Sequence, residues 1–84
     1  MKTELHLDVR PVAPKDRYDQ IMGAYDSLDV GETMELIVDH DPQCMYYTLL
    51  ATRGAGSFTF DYLENGPETW RVLVGRVTLA VEIT

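Results

Sequence analysis

Thr33-Met34-Glu35-Leu36-Ile37-Val38-Asp39-His40-Asp41-Pro42-Gln43-Cys44-Met45-Tyr46-Tyr47-Thr48-Leu49-Leu50 changes its hydrophobic period in mid-course. As far as Val38 the apolar residues Met34, Leu36 and Val38 alternate with Thr33, Glu35 and Ile37, the two-residue repeat of a strand. Beyond Pro42 the apolar residues Met45, Tyr46, Leu49 and Leu50 fall on one stripe of a helix. At the junction Asp41 can accept from the free N–H groups of a helix start, and Pro42 suits the first helical position, where a missing N–H costs nothing. A strand therefore runs through a short acidic loop, Asp39-His40-Asp41-Pro42, directly into a helix.

The same unit precedes it. Leu5, Leu7 and Val9 alternate with Glu4, His6 and Asp8 as an opening strand, which Pro11 and Pro14 end by removing backbone donors. Tyr18, Ile21, Met22, Tyr25 and Leu28 then recur at helical spacing, with Asp16 and Asp19 near the positive end of the helix dipole. Downstream, Gly54-Ala55-Gly56-Ser57 ends the second helix, and Phe58, Phe60 and Tyr62 predict a third strand. Asn65-Gly66 signals a reversal, and Pro67 makes the loop longer than two residues. Thr69 to Ile83 is rich in Val, Leu and Ile, with Trp70, Val72 and Val74 in alternation. Gly75 predicts a bulge or bend before a further strand run, Val77 to Ile83. The order strand, helix, strand, helix, strand, strand predicts an α+β two-layer sandwich: two helices on one face of a mixed four-stranded sheet.

The composition limits the partners. The chain has 84 residues, enough for a single domain over residues 1–84 and one core. Fourteen Asp and Glu against seven Lys and Arg give a net charge of -7, which argues against nucleic acid and anionic membranes as partners. One cysteine forms no internal disulfide, and no apolar run reaches the ~18 residues of a membrane span. These features predict a cytoplasmic protein.

Leu7-Asp8-Val9-Arg10-Pro11 ahead of the first helix, Gly31-Glu32 before a strand and Asp39-His40-Asp41-Pro42 before the second helix resemble the TusA/SirA group of small sulfur carriers. With Tyr46-Tyr47 and Gly66-Pro67-Glu68-x-Trp70-Arg71-Val72, the pattern over roughly residues 5 to 76 more closely resembles a sister family of that fold, domain of unknown function twenty-two forty-nine. The resemblance implies a TusA-like fold and an association with respiratory or nitrogen-oxide metabolism, but no known reaction. Sulfur carriers of the TusA type hold a nucleophilic cysteine in Cys-Pro-x-Pro at the first helix, where dipole and N–H groups favour a thiolate. Here that stretch is Arg10-Pro11-Val12-Ala13-Pro14, without sulfur.

Three groups carry the remaining chemistry. Cys44, near the start of the second helix, is a reactive-thiol candidate for sulfur transfer or redox work, set against ordinary packing and the thiolate-disfavouring charges of Asp39 and Asp41. His40, with Asp39, Asp41 and Cys44 close in sequence, is a candidate ligand for haem or a transition metal; the competing role is helix capping, and a tetrahedral set of four is not assembled. Arg10, beside the first helix, can attract an anion or form a salt bridge to Asp8, Asp39 or Asp41. No Ser-His-Asp, paired-carboxylate or Walker arrangement is present. The expectation is a noncatalytic binding or accessory domain using the pole formed by Arg10, Asp39, His40 and Asp41, for a protein partner or small ligand. The apolar C-terminal strand offers a homodimer contact.

Overall fold

A computed structural model describes residues 4–77. The elements are β1 (Glu4–Asp8), α1 (Pro14–Asp26), β2 (Thr33–Val38), α2 (Gln43–Arg53), β3 (Phe58–Asn65) and β4 (Trp70–Arg76). The sheet order is β1-β2-β4-β3, with β1 parallel to β2 and β4 antiparallel to both of its neighbours. This is the mixed sheet and two-helix arrangement expected from the alternating periods.

Register explains which face is covered. Across the sheet, Leu5, Met34, Val74 and Phe60 align in one row and Leu7, Leu36, Val72 and Tyr62 in the next. Side chains alternate along a strand, so both rows point to the same side. Met34, Leu36, Val72 and Val74 are fully buried there against Ile21, Met22 and Tyr25 of α1 and Leu49 of α2. Each such side chain contributes roughly 2 kcal/mol of transfer free energy. Tyr25 places its hydroxyl on the Ser57 carbonyl at 2.9 Å, so its burial leaves no polar atom unpaired.

The opposite face is polar. His6, Glu35, Leu73 and Asp61 form one row, and Asp8, Ile37, Arg71 and Glu64 the next. Glu35 accepts from His6 Nδ1 at 2.7 Å and from Arg71 at 2.5 Å, while Arg71 also reaches Glu64 at 3.0 Å. The Arg71 guanidinium, and secondarily His6, hold the Glu35 carboxyl below its usual range.

Three expectations are corrected. Gly75 makes no bulge: it pairs in register with both Thr33 and Thr59. It is glycine because a Cβ there would lie 2.6 Å from Thr59 Oγ1 and 3.3 Å from Thr33 Cγ2. The register shift lies between Tyr62 and Glu64, where Leu63 is the extra residue. Pro42 precedes α2 and does not open it, yet Asp41 Oδ1 still accepts the Gln43 N–H at 3.1 Å. Tyr18 lies half-exposed at the edge of the α1 stripe, and Leu28 is buried just beyond the helix end. Of the expected strand Val77 to Ile83, Val77 follows β4 and donates to the Ser57 carbonyl at 3.0 Å. The rest of that run lies outside the described residues.

The β3–β4 connection confirms the longer loop. Gly66, at φ 72°, donates its N–H to the Thr69 carbonyl at 2.9 Å, and a Cβ there would meet the Trp70 ring at 2.6 Å. Trp70 in turn donates its indole N–H to the Pro67 carbonyl at 3.2 Å.

Candidate functional site

The chain leaves β1 and β2 at the same end of the sheet, because the two strands are parallel, and each exit leads into a helix. Exits of this kind are where α/β layers place their clefts. Between α1, α2 and the end of β2 lies a cleft of about 270 Å³. Ile21, Leu36, Val38 and Met45 supply its apolar lining, and Tyr18, His40, Asp41 and Cys44 are among its other lining residues.

Arg17, on the first turns of α1, ties the two exit loops together. Its Nη1 and Nη2 reach the two carboxylate oxygens of Asp39 at 3.0 and 3.2 Å, Nε donates to the Val12 carbonyl at 2.8 Å and Nη2 to the Arg10 carbonyl at 3.1 Å. The planar guanidinium suits this work, since its donors are fixed in a fork. Hydrogen bonds from Arg17, then from His40, hold the Asp39 carboxyl well below the usual carboxylate range. His40 Nδ1 lies 2.9 Å from Asp39 Oδ1. An ionised carboxylate only accepts, so Nδ1 carries the proton and Nε2 is the ring's remaining nitrogen.

Asp41 faces a different partner. Its Oδ1 accepts from the Tyr62 hydroxyl at 2.7 Å as well as from Gln43 N–H. Burial, and then this contact with Asp41, push the Tyr62 phenol up to about 12. Tyr62 also belongs to a row of edge-to-face aromatics that runs along β3 and crosses to β4: Phe58 to Phe60 at 6.5 Å, Phe60 to Tyr62 at 5.9 Å and Tyr62 to Trp70 at 6.4 Å, with Tyr46 of α2 packed on both phenylalanines. The start of α2 is thus anchored to β3 through one phenol.

The structure brings together some of the expected site residues and separates others. His40, Asp41 and Cys44 line the cleft. Cys44 is exposed and free at the second position of α2. Arg10 does not line it. Instead Arg10 forms a two-pronged pair with Asp8, Nε to Oδ1 at 2.9 Å and Nη2 to Oδ2 at 2.6 Å, which lowers the Asp8 pKa. The salt-bridge role weighed for Arg10 is the one observed, and Asp39 acts through Arg17. Among the described residues, no group of three or more His, Cys, Asp or Glu is placed to hold a metal ion, and no helix is long and apolar enough to cross a membrane.

The sequence alone does not place two participants, Arg17 and Tyr62, at this site. Arg17 pairs across 22 positions of chain, which no local spacing reveals. Tyr62 did share a face with Phe58 and Phe60 by alternation, so its position was visible but its reach to Asp41 was not.

Residues 6–76 match the model of a family described as an uncharacterized conserved protein, DUF2249. No curated protein matches. Among solved structures, the crystal structure of an rRNA methylase from Streptococcus thermophilus is similar, with a TM-score of 0.59 and 12% identity, over 92% of this chain and 46% of that one. This chain therefore corresponds to less than half of that protein, and the likeness is one of fold.

Proposed function

Because the chain belongs to the family of uncharacterized conserved proteins DUF2249, a premise that carries no reaction with it, we propose that it is a noncatalytic binding or accessory domain whose site is the α1–α2 cleft. One observation supports this most directly: Arg17 holds the two strand-exit loops around an apolar cleft that has His40, Asp41 and Cys44 among its lining residues. Preformed, largely apolar concavities with a few convergent polar groups are the usual form of ligand sites. Chemical-shift mapping with small aromatic fragments tests it. Perturbed amides are expected at Ile21, His40, Cys44 and Met45, and fragments that shift only amides remote from the cleft count against the assignment.

The proposal includes a cytoplasmic setting, a TusA-like fold relationship and a place in respiratory or nitrogen-oxide metabolism, the last resting on the resemblance of the Asp8-x-Arg10-Pro11 and Asp39-His40-Asp41-Pro42 blocks. Growth of a deletion strain on nitrate compared with oxygen checks the metabolic part; equal growth on both counts against it. It also includes a homodimer formed through the C-terminal run.

A second reading is supported by the exposure of Cys44 at the cleft: sulfur transfer or redox work through that thiol. Mass spectrometry after treatment with polysulfide separates the two, since an unmodified Cys44 in the folded protein removes the second. Haem binding through His40 is checked by titrating hemin into wild type and His40→Ala; identical spectra remove it.

A further inference from the structure

The charges around the cleft are unequally engaged, and this bears on what enters it. The guanidinium at the cleft, Arg17, is committed to both oxygens of Asp39 and to two backbone carbonyls, and its side chain is only 12% exposed. Its charge is matched by Asp39. Among the described residues Asp41 has no such counter-charge: both of its hydrogen-bond donors, the Tyr62 hydroxyl and the Gln43 N–H, are neutral, and both go to Oδ1. The start of α2 ordinarily favours an anion, but Asp41 already occupies that position and would repel one. The cleft therefore combines an apolar lining with one uncompensated carboxylate.

We propose that the cleft takes a small organic cation, a protonated amine on an aromatic or alkyl body, with the body against Ile21, Val38 and Met45 and the ammonium on the Asp41 carboxylate. This rests on the cleft being the binding site. At about 270 Å³ the cleft lies just below the range of drug-sized ligand pockets, roughly 300 to 1,000 Å³, so the body is a single ring or short chain. Asp41 is exposed, so its attraction is screened and selects by a modest factor.

Three probes of nearly equal shape test the charge term: phenethylamine, 2-phenylethanol and phenylacetate, each titrated into ¹⁵N-labelled protein while the cleft amides are followed. The expected order is amine tightest and carboxylate weakest, with about a threefold to tenfold spread. Asp41→Asn keeps a carbonyl oxygen for Tyr62 and Gln43 but removes the charge, so it is expected to bring the three probes together while amides outside the cleft stay in place. Equal binding of all three to wild type, or a preference for phenylacetate, overturns the cationic ligand and leaves the cleft as the site. An order that persists in Asp41→Asn also overturns the proposal, since the selection then comes from elsewhere. If no probe shifts the cleft amides, both this inference and the assignment of the cleft fail.

Discussion

Arg10 and Arg17 are the same residue type seven positions apart, and their environments give them different weights. Arg10 is 44% exposed and pairs with its near neighbour Asp8, a contact that solvent screens. Arg17 is 12% exposed and joins loops that are distant in sequence. Replacing Arg17 with methionine leaves the Val12 and Arg10 carbonyls without their donors and is expected to cost about 2 kcal/mol in urea denaturation at pH 7. Arg10→Met is expected to cost much less, and equal losses would refute the distinction. The pair also sets a pH dependence. Asp39 has a lowered pKa in the folded chain, so the unfolded chain takes up the proton first on acidification. Its contribution is complete above the ordinary carboxylate pKa of 3.8 and is lost as pH falls through the folded value. Asp8 and Glu35 are lowered in the same direction. The stability gap between wild type and Arg17→Met is therefore expected to narrow in melts carried from neutral pH to below the ordinary carboxylate range. A gap independent of pH would mean that Asp39 contributes nothing through Arg17.

Within the elements, β4 shows how a sequence signal can be real and its meaning different. Glycine inside a strand run suggested a bulge, but Gly75 is a place where the side chains of Thr33 and Thr59 close over the backbone from both neighbouring strands. Gly75→Ala is expected to destabilise by about 1–2 kcal/mol through overpacking. Adding Thr59→Ala should restore most of that, because the closer of the two contacts is with Thr59 Oγ1; no recovery in the double variant's chemical denaturation would show that backbone, not side-chain crowding, is responsible. The two helices and the strand alternation in β1 and β2 were legible because each depends on residues within a few positions of one another. Asp41 at the start of α2 was legible for the same reason, even though the helix boundary lies one residue later. What stayed hidden was long-range: Arg17 with Asp39, Tyr62 with Asp41, and the bulge at Leu63, which depends on how β3 meets β4. Tyr62→Phe isolates one of these contacts. It should cost about 1 kcal/mol and shift the Gln43 amide, and an unmoved Gln43 would mean that the phenol does not anchor α2.

At the scale of the whole molecule, charge and edges decide how it meets a second copy. All five arginines are engaged: Arg10, Arg17, Arg53 and Arg71 with carboxylates, and Arg76 with the carbonyls of Asp26 and Leu28 beneath the Tyr25 ring contact. The excess of acids is therefore left on the surface, and two copies approaching through it repel one another. Val77-Thr78-Leu79-Ala80-Val81-Glu82-Ile83 is different, with a single acid among alternating apolar residues. Among the described residues the sheet order leaves β1 and β3 as its edge strands, the positions at which strand pairing can take place. The proposed homodimer thus has an apolar contact and not an ionic one, and the two differ in their response to salt. Light scattering coupled to size exclusion should give a dimer for the full chain. Its mass should not fall between low and high salt, because screening weakens exposed ion pairs far more than apolar burial. A chain ending at Val77 keeps the Val77 N–H to Ser57 contact and the Arg76 contacts with Glu32, Asp26 and Leu28, so it retains the described fold while losing the run. It should elute as a monomer. A full chain that is already monomeric removes the homodimer, and a truncated chain that is still dimeric moves the contact from the C-terminal run to β1 or β3.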